Sequence, residues 1–325
     1  MVAPHIVETV RGPVALDALG TTLMHEHVFV LSAEMRDNYP TGWDEEERVR
    51  DAVAKLRALK AAGVDTIVDP TVIGLGRYVP RIERINAEVD INIVAATGVY
   101  TYDDVPYFFH YAGPGTLFGG PEPMTEFFVR DIREGIAGTR VKAAFLKCAI
   151  DRAGMTRGVE RAMRAVAGAH RETGAPITVH TNVRNRSGLL AQALLREEGV
   201  DLAKVVIGHS GDSTDLDYLT ALLEGGSYLG MDRFGIDTLL PFAERVATVA
   251  ELCRRGHADR LVLSHDASCF IDWFAGAPIH ELLPRWHYTH IHDDVLPALR
   301  ERGVSDADIH TMLVENPKRY FTPRE

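Results

Sequence analysis

Residues 21–30 read TTLMHEHVFV, an apolar, β-branched run carrying two histidines one residue apart. Alternate side chains of an extended strand share a face, so His25 and His27 are predicted to point one way and Glu26 the other. Two imidazoles about 6–7 Å apart, two residue rises along one strand face, suit a single metal ion. A pair of satisfied histidines on a half-buried strand would read the same way. Divalent metals such as zinc take three or four nitrogen and oxygen donors, so the chain must be searched for donors at matching positions.

Outward from this run, strand and helix signals alternate. Asp44, with Glu47 three residues on, has the form of a capping box, and Val49, Val53, Leu56 and Leu59 repeat at helical spacing until Gly63. Apolar strands recur at 63–71, 91–100, 141–149, 176–181, 204–212, 227–233 and 260–268, with helix-like stretches between them. Residues 295–302 and 306–314 read as closing helices, the second stopped by Asn316-Pro317. Residues 7–16, interrupted at Gly12-Pro13, read as a hairpin that precedes the main fold as a plug or lid. Eight strand–helix units with right-handed crossovers suit an α/β fold, a closed (β/α)8 TIM barrel forming one domain over 1–325. A doubly wound open sheet can be assembled from the same units. No GxGxxG follows the first strand and no GxxxxGK[ST] occurs, which removes the main support for its nucleotide-binding versions.

Composition narrows the partners. The 325 residues are 46% apolar and 25% charged, ordinary for a globular protein, and no apolar run is long enough to span a bilayer. No basic region followed by an apolar one opens the chain, so a cytoplasmic address is expected. Cys148, Cys253 and Cys269 are few and widely spaced, which points to reduced thiols. A net charge of −11 disfavours nucleic acid and anionic membranes as partners and says nothing positive about the substrate.

Barrel enzymes carry their chemistry at the carboxyl ends of the strands. Standing there are His25 and His27, Lys147, His180, His209 and Asp266, each polar at the end of an apolar strand. Four imidazoles and a carboxylate suit zinc, cobalt, manganese or iron. Lys147 is the odd member, since an ammonium repels a metal and is costly to bury. It makes sense if the amine is carboxylated by CO2, giving two oxygens that bridge two cations.

This constellation resembles the amidohydrolase superfamily and, within it, the phosphotriesterase family: HxH on strand one, carboxylated lysine on strand four, histidines on strands five and six, aspartate on strand eight. The wording TLMHEHVF, GVDTIVDPT, ATGVYTY, FLKCA, VIGHSGDSTD, YLGMDRFG and LSHDASCFIDW is similar to that of the phosphotriesterase-like lactonases, and the likeness extends over essentially the whole chain. It implies two divalent cations, zinc first, with cobalt, manganese or iron as alternatives. His25, His27 and Asp266 would hold the more buried one and His180 and His209 the more exposed, with carboxylated Lys147 and a hydroxide between them. It further implies Asp266 as proton acceptor, Tyr100 and Arg233 beside the metals and substrate, and Phe270 and Trp273 under the acyl tail, within a long loop at 267–290. Arg233 stands in a DRFG motif, where organophosphate specialists tend to carry histidine; Arg233 and Asp212 are expected either to back Asp266 or to form a plain salt bridge.

The expected activity is opening of N-acyl-homoserine lactones or other γ/δ-lactones, with promiscuous phosphotriesterase activity and, by the family likeness, a homodimer. The nearest rival is a dedicated organophosphate phosphotriesterase. A mononuclear deaminase would want a glutamate shortly after His180, where TNVRNRSG stands, and a barrel turned binding protein would be expected to have lost ligands. His265 is expected to face outward or behind Asp266. His287, His290 and His292, lying after the last strand, read as structural, and Cys269 lacks an adjacent base.

Overall fold

Strands covered on both faces read as unbroken apolar runs, and those runs form one parallel sheet in the computed structural model, which describes residues 5–274 and 276–323. Residues 1–4 of the leading segment and Ala275 of the last loop lie outside the described residues. In chain order the strands are β1 (Ile6–Thr9), β2 (Gly12–Ala15), β3 (Thr22–Leu23), β4 (His27–Val30), β5 (Thr66–Asp69), β6 (Asn92–Gly98), β7 (Phe145–Ala149), β8 (Ile177–His180), β9 (Val205–Gly208), β10 (Tyr228–Met231), β11 (Leu261–Leu263) and β12 (Ser268–Ile271). The sheet runs β3-β5-β6-β7-β8-β9-β10-β11, every pair parallel. The Met24 amide, 3.3 Å from the Leu263 carbonyl, draws its two ends together into the TIM barrel. Helices pack outside it as expected, Glu45–Ala61 among them, with the Asp44 side chain accepting from the Glu47 amide at 2.8 Å.

The 21–30 run is two strands rather than one. β3 pairs inside the barrel and ends at Leu23; β4 leaves it to pair with β12, Ser268 opposite His27 and Phe270 opposite Phe29. The break is made by Glu26, wholly buried, whose carboxylate accepts from the Ser264 hydroxyl at 2.9 Å, the His265 amide at 2.8 Å, His265 Nδ1 at 2.6 Å and the Ala267 amide at 3.0 Å. Glu26→Ala would leave those four donors unpaired in the core and is expected to destabilise the fold by roughly 3 kcal/mol or more. A urea midpoint matching wild type would refute that role.

Three other expectations change. The β1–β2 hairpin covers the amino end of the barrel, the Val10 amide donating to the Ile93 carbonyl at 2.9 Å near the start of β6, so it is a plug and not a lid. Asn316-Pro317 does not stop the last helix. A wider π-type turn at Thr311–Glu315 absorbs the missing proline donor, and the chain stays helical to Phe321. The long last loop is partly ordered as β12, a turn at Asp272–Phe274 and a helix at Ile279–Leu282. No helix of the described residues is long and apolar enough to cross a membrane.

Candidate metal centre

At the carboxyl rim the turns after β9 and β11 place His209 and Asp266 with left-handed backbone, φ 63° and 55°. Both are pinned there: the His209 amide donates to Asp232 Oδ1 at 2.8 Å and the Asp266 amide to the His25 carbonyl at 3.0 Å. Lys147, in β7, lies beside Gly98 of β6, where a Cβ would come within 1.9 Å of the Lys147 carbonyl oxygen, so only glycine lets β6 lie this close.

All six rim residues converge. Asp266 Oδ1 is 3.3 Å from both His25 Nε2 and His27 Nε2, and these three residues each offer a donor atom within 4.8 Å of the others. Lys147 Nζ lies 3.4 Å from His25 Nε2, and His209 Nε2 lies 2.8 Å from His180 Nδ1.

The outer nitrogen of every imidazole is engaged. His25 Nδ1 and His209 Nδ1 meet the two oxygens of one buried carboxylate, Asp232, at 3.1 and 2.9 Å. His27 Nδ1 meets the Thr71 hydroxyl at 2.7 Å, which is in turn bonded to Asp69. His180 Nε2 meets Asp151 Oδ2 at 2.6 Å. Acceptors outside assign the ring hydrogens outward, so the inner nitrogens carry bare lone pairs. Two such lone pairs 2.8 Å apart, on His180 and His209, repel unless a cation lies between them. The donor set therefore fits divalent metal.

Electrostatics agree. Burial lowers His25 and sends His209 well below its ordinary value, and it takes His180 down to about 4. Burial lowers His27 too, but Asp266 and Asp69 outweigh it and lift that imidazole to about 9, the pull a cation would feel. Burial would raise Asp266, yet His25, His209 and Arg233 hold it well below the usual carboxylate range. Burial pulls Lys147 down to about 8, which brings its neutral amine closer to physiological pH.

With metal stripped, stability is expected to fall as pH drops from 6.5 to about 4. His180 titrates at about 4 when folded against 6.5 when unfolded, so the unfolded chain holds more protons across that interval, at a cost of about 3 kcal/mol from this residue. His25 and His209 act in the same direction, whereas His27 stabilises below 6.5 and loses that contribution as pH rises towards 9. Urea unfolding of chelator-treated protein tests this; a flat profile from 6.5 to 4 would show the imidazoles are not held neutral.

Above the donors opens a cavity of about 420 Å³. Its floor includes the six rim residues with Tyr100, Tyr102 and Arg233, and its walls are apolar, among them Leu75, Ile271, Trp273, Phe274, Leu283 and Trp286. The Tyr100 hydroxyl meets Tyr102 and lies 3.3 Å from His180 Nδ1. Arg233 donates from Nε to Asp266 Oδ2 at 2.9 Å and from Nη1 to Asp212 Oδ2 at 3.1 Å, and Arg245 pairs with Asp212 in turn. Arg233 and Asp212 thus stand in one ion-paired chain behind Asp266. A larger groove of about 860 Å³ lies outside the barrel, but Arg161, Arg164 and Arg171 in its lining are spent on Glu122 and Glu198.

One expected placement fails and another narrows. Phe270 does not line the cavity: successive strand residues face opposite sides, so Ile271 enters it while Phe270 packs on Trp43 and under Arg48. Of the two placements expected for His265, the outward one is excluded: it is fully buried, held between Glu26 and the Ile291 amide. Cys269 is buried, its thiol pushed up to about 12, which suits packing rather than attack. Asp232, Asp69, Thr71, Asp151, Tyr102 and Trp286 were missed as site residues. Asp69 and Asp232 stand at the ends of apolar strands, the same signal that marked the six.

Residues 5–321 match the model of the phosphotriesterase family. The chain belongs to the phosphotriesterase family. It is 58% identical over 316 residues to the phosphotriesterase homology protein of Mycobacterium tuberculosis, covering 97% of each chain. The solved structure of the phosphotriesterase from Mycobacterium tuberculosis matches with a TM-score of 0.96, over 97% of this chain and 98% of that one. An aryldialkylphosphatase of Saccharolobus solfataricus is 42% identical over 306 residues, 94% of this chain and 95% of its own. As a member of the phosphotriesterase family the protein is a metal-dependent hydrolase acting on small molecules.

Proposed function

We propose that the protein is a binuclear hydrolase that opens lactone rings, N-acyl-homoserine lactones or other γ/δ-lactones, with promiscuous activity on phosphotriesters. The observation that carries this is the two-part cavity, a polar floor of metal donors beneath walls of Leu75, Ile271, Trp273 and Trp286, which suits a polar ring with an apolar tail. The name of the Saccharolobus solfataricus relative, an aryldialkylphosphatase, favours a second reading as a dedicated phosphotriesterase.

His25, His27 and Asp266 would hold one cation, zinc first and cobalt, manganese or iron as alternatives; His180 and His209 would hold the other, with Lys147, carboxylated, between them. Such a pair, when bound, acidifies a water and polarises the substrate's reacting oxygen. Asp266 takes the proton of the attacking water and returns it to the leaving alcohol. Arg233 fixes the Asp266 carboxylate by its 2.9 Å bond to Oδ2. The Tyr100 hydroxyl, beside His180, orients the substrate, and the aromatic walls with Trp273 exclude bulk water.

Turnover of a long-chain lactone and of an aryl dialkyl phosphate, measured on one metal-analysed preparation, tests the reading. A higher kcat/KM on the lactone is expected; the reverse ratio makes the protein a phosphotriesterase, and no turnover of either overturns both. Three free thiols suit a reducing cytoplasm. Tyr107, Phe108, Leu117 and Phe118 are 72–77% exposed on one loop, a patch suited to the homodimer. Leu117→Asp combined with Phe118→Asp is expected to give monomer by sedimentation; an unchanged mass would move the interface elsewhere.

A further inference from the structure

The segment after the last barrel strand has two faces. One is stapled to the metal centre's own backbone. Trp286 donates from Nε1 to the His265 carbonyl at 3.0 Å, the Tyr288 hydroxyl donates to the His27 carbonyl, and the Ile291 amide donates to His265 Nε2 at 2.8 Å. The other face carries His287, His290 and Asp294, spaced three and four residues apart as the chain turns into its helix at Ile291–Val295. Each of these three offers one donor atom within 4.8 Å of the others.

His290 is the informative member. It is fully buried, with Nδ1 2.7 Å from Asp294 Oδ2, and its Nε2 finds no hydrogen-bond partner among the described residues. One nitrogen of this buried imidazole is thus unpaired, and the other rests on a half-exposed carboxylate that could share a cation with it. Asp293 adds a second carboxylate close by, tied to the Thr289 hydroxyl, which lies 3.2 Å from His287 Nδ1. Burial keeps both His287 and His290 below their ordinary pKa, hence neutral and able to bind metal near pH 7.

We infer that His287, His290 and Asp294 form a second metal site, outside the barrel, for a single zinc-like divalent cation completed by water. Two imidazoles, one carboxylate and an open position are a ligand set that zinc accepts. Exposed His287 and Asp294 give the ion access from solvent, and buried His290 gives the site a fixed base. The cation would tie the stapled segment to the helix that follows it, and so fix Trp286 in the cavity wall and Tyr288 on His27.

The test is independent of the barrel centre. In an Asp232→Ala background, which strips the carboxylate from both His25 and His209 and so disables both halves of that centre, added zinc is expected to raise Tm, and His287→Ala or Asp294→Asn to remove the rise. After zinc loading and desalting, wild type is expected to retain one equivalent more per chain than either His287→Ala or Asp294→Asn. Equal metal content in the three proteins, or a zinc response in Asp232→Ala that His287→Ala leaves intact, overturns the site.

Discussion

Asp266→Asn is expected to lower kcat on lactone by roughly 10²–10⁴-fold and to cost the centre the cation shared with His25 and His27. The carboxylate faces two ways, Oδ1 at 3.3 Å from both histidines and Oδ2 at 2.9 Å from Arg233 Nε. An amide cannot do both. With its oxygen towards the histidines its NH2 meets the arginine N–H, and reversed, it aims hydrogens at two lone pairs. It also cannot take the proton of the attacking water. The backbone should tolerate the change, because asparagine adopts the left-handed conformation that residue 266 needs. Near wild-type turnover with full metal content would refute the role of Asp266.

Asp232→Asn is the more selective experiment. Asp232 Oδ1 receives both the amide and Nδ1 of His209, while Oδ2 receives Nδ1 of His25. The asparagine oxygen goes where two donors converge, at His209. His25 then faces NH2, must move its hydrogen to Nε2, and loses the lone pair that faced the centre. Metal content is expected to fall by about half, with affinity at the His25 side down by roughly 10–100-fold. Asp232→Ala frees both imidazoles and is expected to lose both cations. Unchanged stoichiometry in Asp232→Asn would mean the carboxylate is only a structural contact.

The rim residues were legible because each is a polar side chain closing an apolar strand, and parity along β7 and β8 then aims Lys147 and His180. The break between β3 and β4 was not, because its cause lies in bonds from Glu26 to residues 264–267, about 240 positions away. Phe270 failed by parity: its strand pairs with β4 rather than continuing β11, and composition alone favours phenylalanine over Ile271 for an apolar wall. Pro317 failed because a π-type turn satisfies locally what a regular helix could not. Asp151 carries no such signal, because a carboxylate behind a histidine has no fixed spacing from it in sequence, whereas Asp232 closes an apolar strand as the rim residues do.

His209 and Asp266 both sit where an L-residue with a Cβ is held against its preference, at roughly 1–3 kcal/mol apiece. The bonds they make at the rim, not the local backbone conformation, offset that cost. Glycine at either position would relax the local backbone but strand Arg233 or Asp232, their partners, so the strain and the ion-paired chain behind the rim are lost together.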